Sequence, residues 1–305
     1  MTRIRIGTRG SPLALVQAQE TKNRLVAAHG LDPADLEIIT ITTTGDRIKD
    51  RPLNEIGGKG LFTKEIEEAL FAGDIDLAVH SMKDMPAIVP PGLVFAATLP
   101  REDARDALIS LTAKSLADLA HGAKLGSSSV RRTAQALRTR PDLEAVQFRG
   151  NVETRLRKLA DGVASATFLA VAGLNRLGLA HRITAIMEMD DMLPAIAQGA
   201  IGIEIREGDG KTRNLVAAIN HSKTSLAIAC ERAFLASLDG SCRTPIAGHA
   251  SINGATLSFR GETLTPDGRN VFTASRSGSI DDAARIGIDA AAEVKAKGGS
   301  LIAVS

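Results

Sequence analysis

Residues 81–84 read Ser81-Met82-Lys83-Asp84 and place a hydroxyl, an ammonium and a carboxylate side by side. Such a set can hold an anionic substrate and move a proton. Pro86, two residues on, lacks an N–H and pushes Met85 towards extended geometry, so the set sits in a turn rather than in a long helix. The apolar run Ile75-Asp76-Leu77 ahead of it reads as a buried strand. In open α/β sheets ligands bind outside the C-terminal ends of strands, which is where this turn falls. On this stretch alone, Lys83 and Asp84 fit a solvated charged loop equally well.

Two further turns carry an anion signal. Gly126-Ser127-Ser128-Ser129-Val130-Arg131-Arg132 is a small polar loop entering a helix with two arginines in its first turn. Arginine is unfavourable beside the positive end of a helix dipole, so its presence there points to a bound anion. Phe148-Arg149-Gly150-Asn151-Val152-Glu153-Thr154-Arg155 repeats the design with Asn151 as N-cap. Four arginines at equivalent strand-to-helix turns suit a ligand with several carboxylates, which the guanidinium fork grips in pairs. Arg9 and Ser11 belong to a third such turn, Arg9-Gly10-Ser11-Pro12, where exposed N–H groups at a helix start also suit an anion. That turn reads equally as an ordinary helix cap.

Two cysteines remain. Cys230 falls on the apolar face of a helix with Leu226, Ala233 and Phe234, and reads as an inert core thiol. Cys242 lies in Asp239-Gly240-Ser241-Cys242-Arg243, a loop whose neighbouring cation favours thiolate. Gly57-Gly58-Lys59-Gly60 resembles a phosphate loop only in composition, because a P-loop places Ser or Thr after its lysine.

The elements that must position these groups alternate. Strands are predicted near 3–8, 36–42, 75–80, 93–98, 106–110, 123–126, 144–148 and 167–171. Helices are predicted from Pro12 to about Ala28 and near 62–72, 115–120, 129–139, 152–160 and 172–177. Alternation of this kind predicts a parallel or mixed sheet covered by helices. The segment 100–105 reads as a crossing to a second α/β domain, and 190–205, with Gln198-Gly199-Ala200, as the return. From about 218 a helix, alternating runs at 246–260 and 270–276, and a last helix over 281–297 predict a small α+β domain. The expected division is 1–99 with 200–217, then 100–199, then 218–305, with a cleft between the first two domains.

Composition excludes other classes. The 305 residues carry a net charge of +2, with no Trp, no Tyr and eight Phe. That supplies neither a basic field nor base-stacking rings for nucleic acid. No run reaches the ~18 apolar residues of a membrane span. No leader pattern is visible, and two cysteines without metal-type spacing fit a reducing cytoplasm.

Taken in order, Thr8-Arg9-Gly10-Ser11-Pro12-Leu13-Ala14-Leu15, Gly57 to Phe62, Ala78 to Pro86, Gly126 to Arg132, Arg149-Gly150-Asn151, Ala170 to Leu174, Gln198-Gly199-Ala200 and Cys242 give the chain a resemblance to the porphobilinogen deaminase family over essentially its whole length. The resemblance implies two α/β lobes like those of periplasmic binding proteins plus a small C-terminal α+β domain. It implies a dipyrromethane cofactor on Cys242, to which four porphobilinogen molecules are added stepwise with loss of ammonia before water releases hydroxymethylbilane. Asp84 falls on the family's catalytic aspartate. Arg9, Ser11, Lys59, Lys83, Arg131, Arg132, Arg149 and Arg155 fall on positions that bind the carboxylates of cofactor and chain, and Ser81, Ser127, Ser129 and Gln198 on polar cleft positions. Ser241 stands where the family usually has Gly. A monomer acting on a small molecule is the expected state, with no nucleic acid, membrane or metal involved.

Two other classes fit parts of the pattern. The lobes would suit an anion receptor, and Cys242 with His80, His221 or His249 would suit a thiol enzyme; no histidine spacing specifies such a pair.

Overall fold

The computed structural model describes residues 3–47, 60–238 and 244–302. The chain opens with β1 (Ile4–Arg9), α1 (Pro12–His29), β2 (Leu36–Ile41), α2 (Thr44–Arg47), α3 (Lys64–Ala72), β3 (Leu77–Ser81) and β4 (Leu93–Thr98). It continues through β5 (Asp106–Ser110), β6 (Lys124–Gly126), α4 (Val130–Thr139), β7 (Glu144–Val146), α5 (Val152–Ala160), β8 (Ala166–Ala170), α6 (Val171–Arg176) and β9 (Ala185–Ile186). The last part comprises β10 (Ile201–Arg206), α7 (Gly210–Ala217), α8 (Ser222–Ser237), β11 (Ile246–Asn253), β12 (Thr256–Leu264), β13 (Val271–Ser279) and α9 (Ala283–Gly298). Two compact units divide the chain. Among the described residues, one holds 3–47, 60–102 and 199–225, and the other holds the rest.

The first unit is built on a five-stranded sheet of order β2-β1-β3-β10-β4. β1 runs parallel to β2 and β3, whereas β10 is antiparallel to both its neighbours. Strands buried on both faces are largely apolar, as Leu77, Ala78 and Val79 in β3 and Ile201, Ile203 and Ile205 in β10 are, with His80 and Glu204 as buried polar exceptions. One face packs on Ala18 and Leu25 of α1 and Val216 of α7, the other on Ile66 and Leu70 of α3.

The second unit repeats the order as β7-β6-β8-β5-β9, again three parallel strands beside an antiparallel one. Its sheet is covered by α4 on one face and by α5 and α6 on the other. The same unit includes an antiparallel sheet β11-β12-β13 backed by α8 and α9. Cys230 is fully buried there, as its place on the helix face predicts, and burial pushes its thiol up to about 12.

One predicted helix is absent. Residues 115–120 form bends, because the Ser115 hydroxyl donates to Asp118 at 2.8 Å and accepts from its N–H. These local bonds compete with a helix too short to repay its nucleation.

Candidate active site

β1 and β3 are parallel neighbours, so their C-terminal ends bring Arg9, Ser11 and the Ser81–Asp84 turn to one edge of the first sheet. Residues 82–84 form one 3₁₀ turn, and Met85 is extended at φ −80°, ψ 139° as its place before Pro86 requires. Met82 is buried and pins the turn, with its N–H donating to Ala200 O at 3.0 Å. Ser81 donates its hydroxyl to Gln17 Oε1 at 2.9 Å. Ser11 caps α1 by accepting from the Ala14 N–H.

Arg9 organises this edge. Its Nη2 lies 2.5 Å from Asp46 Oδ1, its Nε donates to Asp46 Oδ2 at 3.2 Å, and its guanidinium lies 4.2 Å from the Phe62 ring centre. Burial pushes the Asp46 carboxyl up, but Arg9 and Thr43 outweigh it and hold it below the usual range. Arg9 is therefore fixed, and its Nη1 stands 4.0 Å from Asp84 Oδ2. The Asp84 side chain is 42% exposed, open to a ligand on one side and to a fixed cation on the other. Arg9, Ser11, Gln17, Ser81 and Asp84 line a cavity of about 80 Å³.

The arginine turns belong to the second unit. Ser127 and Ser129 bond within their loop, and Ser129 caps α4 by accepting from the Arg132 N–H. Arg131 and Arg132 are 5% and 6% exposed. The anion beside them is the carboxylate of Asp106: Arg131 Nη2 meets its Oδ2 at 2.8 Å and Arg132 Nη2 its Oδ1 at 2.6 Å. Burial would push the Asp106 carboxyl up, but the two guanidiniums outweigh it and hold it well below the carboxylate range. Gln198 donates to Asp106 Oδ1 at 3.0 Å and to Ala104 O at 2.7 Å. At the second turn Asn151 caps α5, Gly150 takes φ +122°, which favours glycine, and Arg155 Nε donates to Gly150 O at 2.8 Å.

Lys59 and Cys242 lie outside the described residues. His80 Nε2 lies 3.1 Å from Glu204 Oε2, and His221 is bonded to Thr224. The residues missed from the sequence are Gln17, Asp46, Asp106 and Glu204. Each pairs with a residue far away in sequence, and no local pattern marks that partner. A larger cavity, about 340 Å³, lies on the polar face of the C-terminal sheet and is lined by His249 but by none of the residues expected to bind cofactor or substrate.

The donor set can be tested against a carboxylate-bearing pyrrole cofactor. Two buried guanidiniums share one carboxylate, leaving one positive charge in excess, and Arg131 Nε is buried with no hydrogen-bond partner. Arg149 and Arg155 add charge at the next turn. These residues fit a ligand rich in carboxylates.

Fold and site together define an α/β protein with arginine-bearing turns at its strand ends. Residues 4–214 match the family model described as porphobilinogen deaminase, dipyromethane cofactor binding domain, and residues 225–296 match porphobilinogen deaminase, C-terminal domain. The chain is 58% identical over 294 residues to the porphobilinogen deaminase of Paracoccus denitrificans, covering 96% of this chain and 94% of that one. It is 56% identical to the porphobilinogen deaminase of Nitrobacter hamburgensis, covering 96% and 93%. Among solved structures it is similar to the periplasmic VFT2 domain of Bordetella pertussis BvgS, at 16% identity and TM-score 0.41 over 72% of this chain and 86% of that one, too remote to bear on the fold. The chain belongs to the porphobilinogen deaminase family. It is thereby a transferase of tetrapyrrole biosynthesis with a dipyrromethane cofactor. No helix among the described residues is long and apolar enough to cross a membrane.

Proposed function

We propose that this chain joins four porphobilinogen molecules, one at a time, at the Asp84 turn, with dipyrromethane held through a thioether at Cys242. The placement of Asp84, half exposed and 4.0 Å from a locked Arg9, carries the reading. Dipyrromethane, when bound, would supply the pyrrole carbon to which the first unit is joined, and each later unit would join the ring added before it. As ammonia leaves the aminomethyl group of porphobilinogen, positive charge spreads onto the pyrrole nitrogen. The Asp84 carboxylate accepts a hydrogen bond from that N–H and opposes the charge where it develops, and its Oδ atoms are placed to take a proton. Arg9 stands on one side of the carboxylate at 4.0 Å and leaves its other side open to the ligand.

The remaining charges answer the carboxylates of cofactor and product. Arg131 and Arg132 give their turn its surplus charge, while Arg149, Arg155, Lys83 and Lys59 grip acetate and propionate groups. Ser11, Ser81, Ser127, Ser129 and Gln198 orient the turns that carry them. Carboxylates cannot enter a desolvated site unpaired, which is why such charge is needed. A three-domain chain, 1–99 with 200–217, then 100–199, then 218–305, acting as a cytoplasmic monomer, completes the reading.

Intact mass tests it. The purified protein should be heavier than its sequence by the cofactor, and Cys242→Ala should restore the sequence mass. An active protein of unmodified mass contradicts the attachment.

A further inference from the structure

The Asp84 turn rests on an unusual core. Glu204 of β10 is fully buried, and its Oε2 meets His80 Nε2 at 3.1 Å. Glu67 of α3 is also buried and lies near enough to sense both. Glu67 and Glu204 each hide one oxygen, Oε1, that has no hydrogen-bond partner. The Thr63 hydroxyl stands beside Glu67 but out of hydrogen-bond geometry. From the remaining side, Phe95 of β4 presents its ring at right angles to His80, 6.3 Å away.

Two carboxylates buried together cannot both stay ionised without a proton among them. Burial pushes the Glu67 carboxyl up; Thr63 and His80 pull it back, and the charges of Glu204 and Glu68 push it further up, so the balance is upward. His80 and Thr63 line the same cavity as Arg9 and Asp84, so the cluster has an edge on the reaction site.

We propose that Glu67, Glu204 and His80 form one buried proton-holding group beneath the Asp84 turn, exchanging a proton with the site through the His80 imidazole. This rests on the reading of that turn as the reaction site. Each addition breaks a C–N bond and a pyrrole C–H bond and forms one C–C bond. The protonated aminomethyl group leaves as ammonia, and the proton lost from carbon finally leaves with it as ammonium. Asp84 can take that proton first but must regain its negative charge for the next addition, so the proton needs a second holder until it leaves. Glu67, Glu204 and His80 are positioning residues here, acting through the turn and its proton supply rather than on the substrate.

The test combines a titration with kinetics. With carboxyl-labelled glutamate in the full chain, one resonance should titrate above the ordinary glutamate range near 4.3. It should vanish in Glu67→Gln and move down in Glu204→Gln, where a neighbouring charge is removed. In Glu67→Gln, kcat should fall on the order of 10²-fold and lose the pH step that the labelled carboxyl shows, with KM unchanged. A Glu67 resonance titrating with the exposed glutamates overturns the proposal, and so does a kcat profile in Glu67→Gln that superimposes on wild type. The wild-type titration with Glu204→Gln decides the matter even if Glu67→Gln does not fold. Failure of the Asp84 reading is separate: a fully active Asp84→Asn would sink that reading and leave the Glu67 titration untouched.

Discussion

Met82 and Gly202 share one space. A Cβ on Gly202 would stand 2.0 Å from the Met82 sulfur and 2.9 Å from its Cγ, so the turn that carries Asp84 closes only over a residue without a side chain. Gly202→Ala should push Met82 out of its seat. Overpacking of a buried site costs about 1–3 kcal/mol. Turnover should fall further than stability, because the displaced turn carries the carboxylate. Thermal unfolding and kcat measured together check this.

Asp84→Asn keeps the shape and removes the charge. Turnover should drop on the order of 10²–10⁴-fold. Near-normal steady-state activity in purified Asp84→Asn would overturn the assignment.

Arg131 and Arg155 should separate in their effects. Arg131→Ala breaks a buried pair and costs about 3–5 kcal/mol, as well as lowering cofactor content. Arg155→Ala alters a half-buried side chain, so it should leave stability within about 0.5 kcal/mol while lowering cofactor content. Unfolding midpoints and intact masses of the two variants distinguish them.

Asp106 makes a prediction about acid. Its carboxyl is held below the value it has in the unfolded chain, so its contribution to stability is full above the ordinary carboxylate range and is lost as pH falls below it. Asp106→Asn should be destabilised at neutral pH and show a flatter loss of stability towards acid. Denaturant unfolding from pH 7 to pH 3 measures both; parallel curves for variant and wild type contradict the prediction.

Thiol counting tests both cysteines at once. Cys230 is buried with its thiol pushed up to about 12, and Cys242 is assigned a thioether. The native holoprotein should therefore show no reactive thiol and the unfolded protein one. Two thiols on unfolding would contradict attachment at Cys242.

Much of this was legible in the chain because the signals are local. Ser11-Pro12 announces a helix start, Met85-Pro86 ends a turn, and the apolar run before Ser81 is a buried strand. The pairing of charge was not local. The arginines at the start of α4 point to a bound anion, whereas the anion the structure shows beside them is the chain's own Asp106, on a strand 25 residues earlier than Arg131. Asp46 locking Arg9 and Glu204 meeting His80 were hidden for the same reason. Side-chain partners across a sheet depend on strand order, and no periodicity encodes strand order.

That order also sets a sequence of events during synthesis. The sheet of the second unit is complete once residue 186 has emerged, since β5 to β9 are consecutive. The first sheet is not: β10 lies between β3 and β4 and ends at Arg206. Met82, His80 and the Asp84 turn lean on Ala200, Glu204 and Gly202. On the ribosome the earlier-made half must therefore wait for the later one, and the Asp84 turn is set only when the strand behind it arrives. A nascent chain halted before β10 would own a finished second sheet and no seat for the Asp84 turn.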